Sequence, residues 1–396
     1  MTTPMADDRS APARIMVVDD VEVNRDLLSR RLQRMGHVVT TANDGQEALD
    51  LTREGNWDLI MLDVMMPVLD GIGALTALKA NESTQHIPVI MISANTELET
   101  VVKCIELGAE DYLPKPFDPV LLRARVGASL EKKRLRDREQ ARSRRMQKDL
   151  EVGARIQRDF LPESLPTVPG YQFAARFEPA REVGGDFYDA FRLPDGAVAL
   201  VLGDVCDKGV GAALFMALFR SLIRAVSASQ IGSHSVEMLE SRVLHAVTVT
   251  NDYIANTHGR ANMFATLFVG ALDPATGTIA YVNGGHEPPR VVRATGTVRA
   301  MLPPTGPAVG MLPEIPFTAG TIVLEPGETL LVLTDGITES RAPNGLLFGD
   351  DATDALLTAP ADSVDVLLDR VLDAVHEHAA GEPAADDVTL LAVRRA

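Results

Sequence analysis

The chain has 396 residues, 46% hydrophobic and 23% charged, which excludes a disordered or fibrous protein and predicts two domains rather than one core. Its net charge of −17 and pI of about 4.9 argue against general nucleic-acid binding and favour basic partners, or phosphorylated ones reached through metal. Two cysteines, Cys104 and Cys206, stand far apart without metal-ligand spacing, which predicts a reducing compartment.

The acidic start, MTTPMADDRSAPAR, has no apolar core and reads as a disordered tail over residues 1–12, not as a signal peptide. No apolar run is read as approaching the roughly 20 residues of a membrane span, so a cytoplasmic protein without membrane contact is expected. From Ile15 short apolar runs alternate with helical spacing: IMVVDD, a helix to Met35, HVVTTA, a helix from Gly45, LIMLD, a helix from Asp70, PVIMIS, a helix from Thr96, and DYLPKPF. This five-unit βα alternation predicts a doubly wound parallel sheet, with the chemistry at the carboxyl ends of the strands. Asp19 and Asp20 close the first strand, Asp63 the third and Ser93 the fourth, and Lys115-Pro116 follows the fifth. One Asp at a strand end is explained by capping the next helix. The whole set is better explained by a hard divalent ion such as Mg²⁺.

VVDD, MLDVMMPVLDG, ISA and DYLPKPF together resemble the receiver domain of two-component response regulators, a flavodoxin-like fold, over residues 13–128. The resemblance implies that Asp63 accepts a phosphoryl group from a histidine kinase. It also implies that Asp19, Asp20, Asp63 and the Met65 carbonyl hold Mg²⁺. Ser93 and Lys115 would meet the new phosphate oxygens, and Tyr112 would be the aromatic that moves inward. An aspartyl phosphate adds charge to an acidic pocket, which Mg²⁺ and Lys115 neutralise. Lys115-Pro116 is expected to be cis.

Residues Leu121 to about Phe160 read as helix throughout, with the basic stretch EKKRLRDREQARSRRMQKDL at the centre. A solvated charged helix or coiled coil explains this better than nucleic-acid binding. Leu122, Val126, Leu130, Leu150, Ile156 and Phe160 are too sparse for a strong heptad. The expectation is a helical linker over 129–164, paired in a homodimer through receiver and linker, and broken at LPESLPTVPG.

From Tyr171 the pattern becomes strand-rich, interrupted by helices near Gly211–Ser227, Ser235–Thr257 and Ser363–Ala380, which predicts an α+β sandwich with helices outside two sheets. EVGGDFYDAF contains the letters GGDF, which look like the GGDEF-type loop of cyclases that join two GTP molecules. Such a cyclase needs an acid directly after Asp186 and a second metal-binding Asp upstream in its own domain. Phe187 takes the first place, and the proline break and linker leave no room for the second. Asp204 in VLGDVCDKG, Asp335 in LLVLTDGITES, and Asp386 and Asp387 in AADDVTLLAV each stand beside an apolar strand. Each alone is an ordinary turn former. With Asp186 they are better explained as converging on two divalent ions, Mn²⁺ or Mg²⁺, a recurring device for phosphoester hydrolysis by an activated water.

EVGGDFYD, GDVCDKGVGAALFMA, FATLFVG, VNGGHEPP, LTDGITES and DDVTLL resemble the PPM family of metal-dependent serine/threonine phosphatases, in its bacterial SpoIIE/RsbU-like branch, over residues 165–396. The preceding LEVGARIQRDFLP also resembles the branch. The resemblance implies that Asp204 bridges both metals, with Asp186 on one, Asp335 and Asp386 on the other, and the Val205 carbonyl completing a site. Asp189 and Asp387 are expected to lie behind the ligands, and His286 to be a structural loop residue more than a proton donor. The branch usually has Ala at Gly284 and Ser-Gly at Cys206-Asp207. No residue stands out as the phosphate-binding arginine of the eukaryotic relatives; Arg176 and Arg181 are no more than candidates.

The expected function is that of a response regulator whose phosphorylation at Asp63 controls a protein serine/threonine phosphatase. By resemblance its substrate is the phosphoserine or phosphothreonine of an anti-sigma-factor antagonist. A non-catalytic binder would have no use for four carboxylates. A transcription factor would need a helix-turn-helix and a different charge.

Overall fold

Strands that lie buried on both faces must be apolar at every position, and the runs LIMLD and VIMIS meet that demand. In the computed structural model, which describes residues 12–94, 98–229 and 235–396, they form the centre of a parallel sheet. The expected N-terminal tail falls almost wholly outside the described residues, as does Thr96, the expected start of the fourth helix. The first compact unit ends at Arg145 and the second begins at Met146.

The first unit runs β1 (Arg14–Val18), α1 (Glu22–Arg34), β2 (Val38–Ala42), α2 (Gly45–Arg53), β3 (Leu59–Asp63), α3 (Gly71–Ala80), β4 (Val89–Ser93), α4 (Leu98–Glu106) and β5 (Asp111–Pro114). It ends in α5 (Pro119–Phe160), which continues into the second unit. The strand order β2-β1-β3-β4-β5, parallel throughout, is the doubly wound arrangement expected. Asp44 caps α2 by accepting from the Gln46 and Glu47 amides, and Asp70 caps α3 through the Gly73 amide.

Leu122, Val126 and Leu130 of α5 are buried in the core of the first unit beside Leu28, Leu32 and Phe117. These three positions are therefore taken up inside the first unit. The stretch that follows, to Asp149, is almost wholly exposed. Its cations pair with acids: Lys132 and Arg136 with Glu110, and Lys133 with Asp58 and Asp137. In the single chain this part of the helix is exposed and charged.

The second unit contains β6 (Tyr171–Glu178), β7 (Phe187–Arg192), β8 (Val198–Val205), α6 (Val210–Ser229), α7 (Val236–His258), β9 (Ala265–Leu272), β10 (Thr278–Gly284), β11 (Arg290–Val292) and β12 (Val298–Met301). There follow β13 (Gly320–Val323), β14 (Thr329–Leu333), α8 (Asp335–Thr338), α9 (Gly349–Leu357), α10 (Val364–Ala379) and β15 (Val388–Arg395). Two antiparallel sheets result, β13-β10-β9-β8-β7 and β12-β11-β14-β15-β6.

Side-chain alternation assigns the layers. Along β8, Val198, Leu200 and Leu202 point into the core between the sheets, whereas Ala199, Val201 and Val205 meet α6 and α7. Along β15, Leu391 and Val393 face the inter-sheet core, while Leu390 and Ala392 face α10. Strands with both faces covered account for the helix–sheet–sheet–helix sandwich.

One expectation needs correction. α6, 20 residues, is long and apolar enough by length and composition to cross a membrane. The fold gives that apolarity another use: Ala212, Met216, Phe219 and Ile223 pack into the core over β8. Arg220 and Arg224 on the same helix pair with the buried Asp189 of β7 at 3.0 and 2.8 Å. Ion-paired to its own sheet, α6 packs one face against the core and leaves the other outward, with 28% of its apolar stretch buried.

Candidate functional site

Parallel pairing sets the carboxyl ends of β1, β3, β4 and β5 along one edge of the first sheet. There Asp19, Asp20 and Asp63 each offer a carboxylate oxygen, all within 4.8 Å of one another. Lys115 Nζ lies 2.7 Å from Asp19 Oδ2 and 2.8 Å from Asp63 Oδ2, and the Lys115-Pro116 bond is cis. Burial pushes the Asp63 carboxyl above its ordinary value, and the hydrogen bond from Lys115 offsets part of that. Burial disfavours the charge on Lys115, but its bonds to Asp19 and Asp63 hold the ammonium above its ordinary value. Asp19 is oriented by the Val21 amide and the Asn24 side chain, each at 3.0 Å. The Ser93 carbonyl accepts from the Lys115 amide at 2.9 Å and the Tyr112 hydroxyl at 3.4 Å. The Met65 side chain, just beyond β3, is exposed. Three carboxylates against one ammonium leave hard oxygen donors in excess, which fits Mg²⁺.

In the second unit both sheets supply acids. Asp186 precedes β7 and Asp204 lies in β8 of one sheet; Asp335 follows β14, and Asp386 and Asp387 precede β15 in the other. Asp186 is fully buried, and burial raises its carboxyl well above the ordinary value, helped by the charges of Asp204 and Asp387. Asp204 is pushed up to about 7 by burial and by Asp335 and Asp386. Asp335 is raised by burial and by Asp386 and Glu339, against Lys208. The four carboxylates singled out in the sequence thus share one electrostatic neighbourhood. They spread more widely than the receiver trio, since among the described residues no three of them bring ligand oxygens within 4.8 Å.

The shell behind them is specific. Thr334 Oγ1 and Thr389 Oγ1 both donate to Asp186 Oδ2, at 2.9 and 2.5 Å, and the Thr389 amide donates to Thr334 Oγ1 at 3.0 Å. Asp387 Oδ2 accepts from the Gly185 and Asp186 amides at 2.7 and 3.3 Å, and its Oδ1 from the Ala180 amide at 2.8 Å. Asp387 therefore holds the backbone that carries Asp186. It can approach because position 184 is glycine: a Cβ there would stand 2.1 Å from Asp387 Oδ2. On the other side of Gly184, the buried Gln157 of α5 donates to its carbonyl at 2.7 Å and accepts from its amide at 3.1 Å.

Other candidates fall outside the cluster. Asp189 is bound by Arg220 and Arg224. Arg176 pairs with Asp369 at 2.8 Å and Asp365 at 3.1 Å, and Arg181 stands exposed. His286 is buried and pulled down to about 4 by that burial, so it is neutral at physiological pH. Its Nδ1 lies 2.9 Å from Thr266 Oγ1, and Asn283 binds its amide and carbonyl. These bonds fit a loop residue. Sequence reasoning missed Thr334, Thr389, Gln157 and Lys208, whose ammonium lies 2.9 Å from Asp386 Oδ2. Only the placement of Thr334 directly before Asp335 offered a local signal.

A family profile described as stage II sporulation protein E (SpoIIE) matches residues 194–396, and one for the response regulator receiver domain matches residues 15–127. The chain is 43% identical over 263 residues to protein IcfG of Synechocystis sp., an alignment that covers 62% of this chain and 41% of that protein. It thus spans less than half the length of this curated relative. The SiaA-PP2C domain of Pseudomonas aeruginosa matches with a TM-score of 0.54 at 19% identity, over 64% of this chain and 98% of that one, which shows a common fold. The RsbU and RsbW domains of Rv1364c from Mycobacterium tuberculosis match at 31% identity with a TM-score of 0.48, over 60% of this chain and 63% of that one.

Proposed function

The chain belongs to the stage II sporulation protein E family and carries a receiver domain ahead of that region, and on this premise we propose a metal-dependent protein serine/threonine phosphatase controlled by phosphorylation at Asp63. The observation that carries the reading is the gathering of acids from both sheets around Asp204, where Asp186, Asp204 and Asp335 are each raised by burial and by neighbouring carboxylates. So much negative charge gathered on oxygen donors is the environment in which divalent cations bind.

Asp186, Asp204, the Val205 carbonyl, Asp335 and Asp386 would hold two Mn²⁺ or Mg²⁺ ions, with Asp204 shared. When bound, the ions supply a more acidic water and neutralise phosphoryl oxygens. The chain's own part is to place the oxygens. Thr334 and Thr389 occupy one oxygen of Asp186 and so turn the other outward. Asp387 fixes the height of the loop that carries it. Asp204, raised to about 7, gives up a proton as it takes a cation, so affinity rises with pH through neutrality. In the receiver, Asp19, Asp20, Asp63 and the Met65 carbonyl would hold Mg²⁺, a histidine kinase would phosphorylate Asp63, and Ser93, Lys115 and Tyr112 would respond. The same reading takes an anti-sigma-factor antagonist as substrate and a homodimer paired through the receiver and the exposed part of α5.

The test uses the full chain with Mn²⁺ and a phosphoserine peptide, with and without beryllofluoride. Hydrolysis should require Mn²⁺, and beryllofluoride should change the rate of the parent but not of Asp63→Asn. No Mn²⁺-dependent hydrolysis would sink the phosphatase; equal rates with and without the mimic would sink receiver control. In calorimetric titrations Thr334→Val and Thr389→Val should each weaken Mn²⁺ binding about 10–100-fold, the usual cost of losing a partner behind a ligand, while Ser at either position retains it.

A further inference from the structure

Four carboxylates match the charge of two divalent ions and leave no positive charge over for a phosphoryl dianion, whose oxygens gain further charge as the bond to the leaving group breaks. Some cation of the chain should meet that charge. Arg176 is held by Asp365 and Asp369. Among the described residues, the ion pair of Lys208 with Asp386 is the only one formed by any of the four carboxylates.

We infer that Lys208 is the side chain that binds the substrate's phosphoryl group, an assignment that rests on the phosphatase reading. Lys208 stands four residues beyond Asp204, in the turn that leaves β8. Its amide donates to Asp207 Oδ1 at 2.8 Å, and Asp207 holds the turn in a left-handed conformation at φ 72°. The side chain reaches back over the site, where Nζ contacts Asp386 Oδ2 at 2.9 Å and the Ala385 carbonyl. Its charge also acts on Asp335. The side chain remains 36% exposed, so the ammonium is open to solvent while it is anchored. A cation on Asp386 would compete with Lys208 for that carboxylate, while the Ala385 carbonyl would still anchor the ammonium over the site. A phosphoryl oxygen then replaces the carboxylate oxygen, one anion for another. A lysine suits this exchange because its ammonium is a compact donor on a flexible stem.

The test is a calorimetric titration of inorganic phosphate into the Mn²⁺-loaded full chain, with Lys208→Met and Lys208→Arg in parallel. A charge-assisted hydrogen bond predicts that Lys208→Met weakens phosphate binding about tenfold or more, with Lys208→Arg recovering most of it. Mn²⁺ titrations should show the Met variant binding the ion as tightly as the parent or more so. Phosphate binding that is absent from the parent, unchanged in Lys208→Met, or lost only in step with Mn²⁺ affinity would overturn the assignment. Lys208-dependent phosphate binding in a protein that hydrolyses no phosphoserine peptide would leave it standing and remove the phosphatase reading instead.

Discussion

Replacing Asp204 by Asn should abolish Mn²⁺-dependent hydrolysis and, in metal-free protein, raise the melting temperature at pH 8.5. The first effect follows from the place of Asp204, coupled to Asp186 on one side and to Asp335 and Asp386 on the other. On the proposed reading, in which Asp204 serves both ions, its loss would remove several kcal/mol of transition-state stabilisation, a fall of about a thousandfold or more in rate. The second follows from linkage. The carboxyl is raised from an ordinary 3.8 to about 7 in the folded chain, so its contribution is present at low pH and is lost as pH rises through 7. Above that the folded state carries a charge that burial and its neighbours oppose, and Asn removes it. The gain should reach a few degrees, at roughly 2–4 °C per kcal/mol for a domain of this size. It should shrink at pH 6, where the parent already holds a proton at Asp204. Thermal unfolding in EDTA at the two pH values checks this. An Asn variant that is less stable at pH 8.5, or still active, contradicts the site.

Gly336→Ala should cost nearly as much activity by a purely steric route. A Cβ at position 336 would lie 2.0 Å from the Asp387 carbonyl oxygen. A backbone atom has no rotamer to escape into, so the turn from β14 to α8 must separate from the segment before β15. That turn carries Asp335 and Thr334, which donates to Asp186, and the facing segment carries Asp386 and Asp387, of which Asp387 holds the Asp186 loop. One methyl group therefore disturbs Asp335, Asp386 and, through Asp387, the loop of Asp186, three of the four proposed ligands. A displacement near 1 Å can cost about a hundredfold in rate, and overpacking of this kind about 1–3 kcal/mol in stability. Gly211→Ala is the control: it lies in α6 with nothing within 4 Å of the added Cβ, and the helix should tolerate or favour alanine. Peptide hydrolysis and thermal melts on both variants decide the matter.

Much of the molecule is legible in its amino-acid sequence, and the reasons are physical. β3 and β4 are buried on both faces, so their apolar runs announce themselves. β12 and β13 are four-residue, half-exposed strands, and their letters VRAM and GTIV resemble loop. α9, with the polar start GDDATDALL, escapes a reading by pattern for the same reason. The carboxylates are legible because each stands where an apolar run stops. Thr334 and Thr389 are not, because a threonine beside or inside a buried strand looks like β-branched filler until the fold turns its hydroxyl toward Asp186. Lys208 reads as part of a turn, since its partner Asp386 arrives only when β15 pairs between β14 and β6.

That last strand has a consequence for how the protein is made. β6 is synthesised some two hundred residues before β15, with which it pairs along its full length. The bond between Asp186 and Thr389 spans 203 residues of sequence. Contacts of such separation form late, after the loop between them has closed. A nascent chain can therefore expose β7, β8 and their two acids on the ribosome without owning a hydrolytic centre. The receiver's alternating strands and helices, whose neighbours are close in sequence, can be complete by then. On the proposed reading, the half that would exert control is ready before there is anything for it to control.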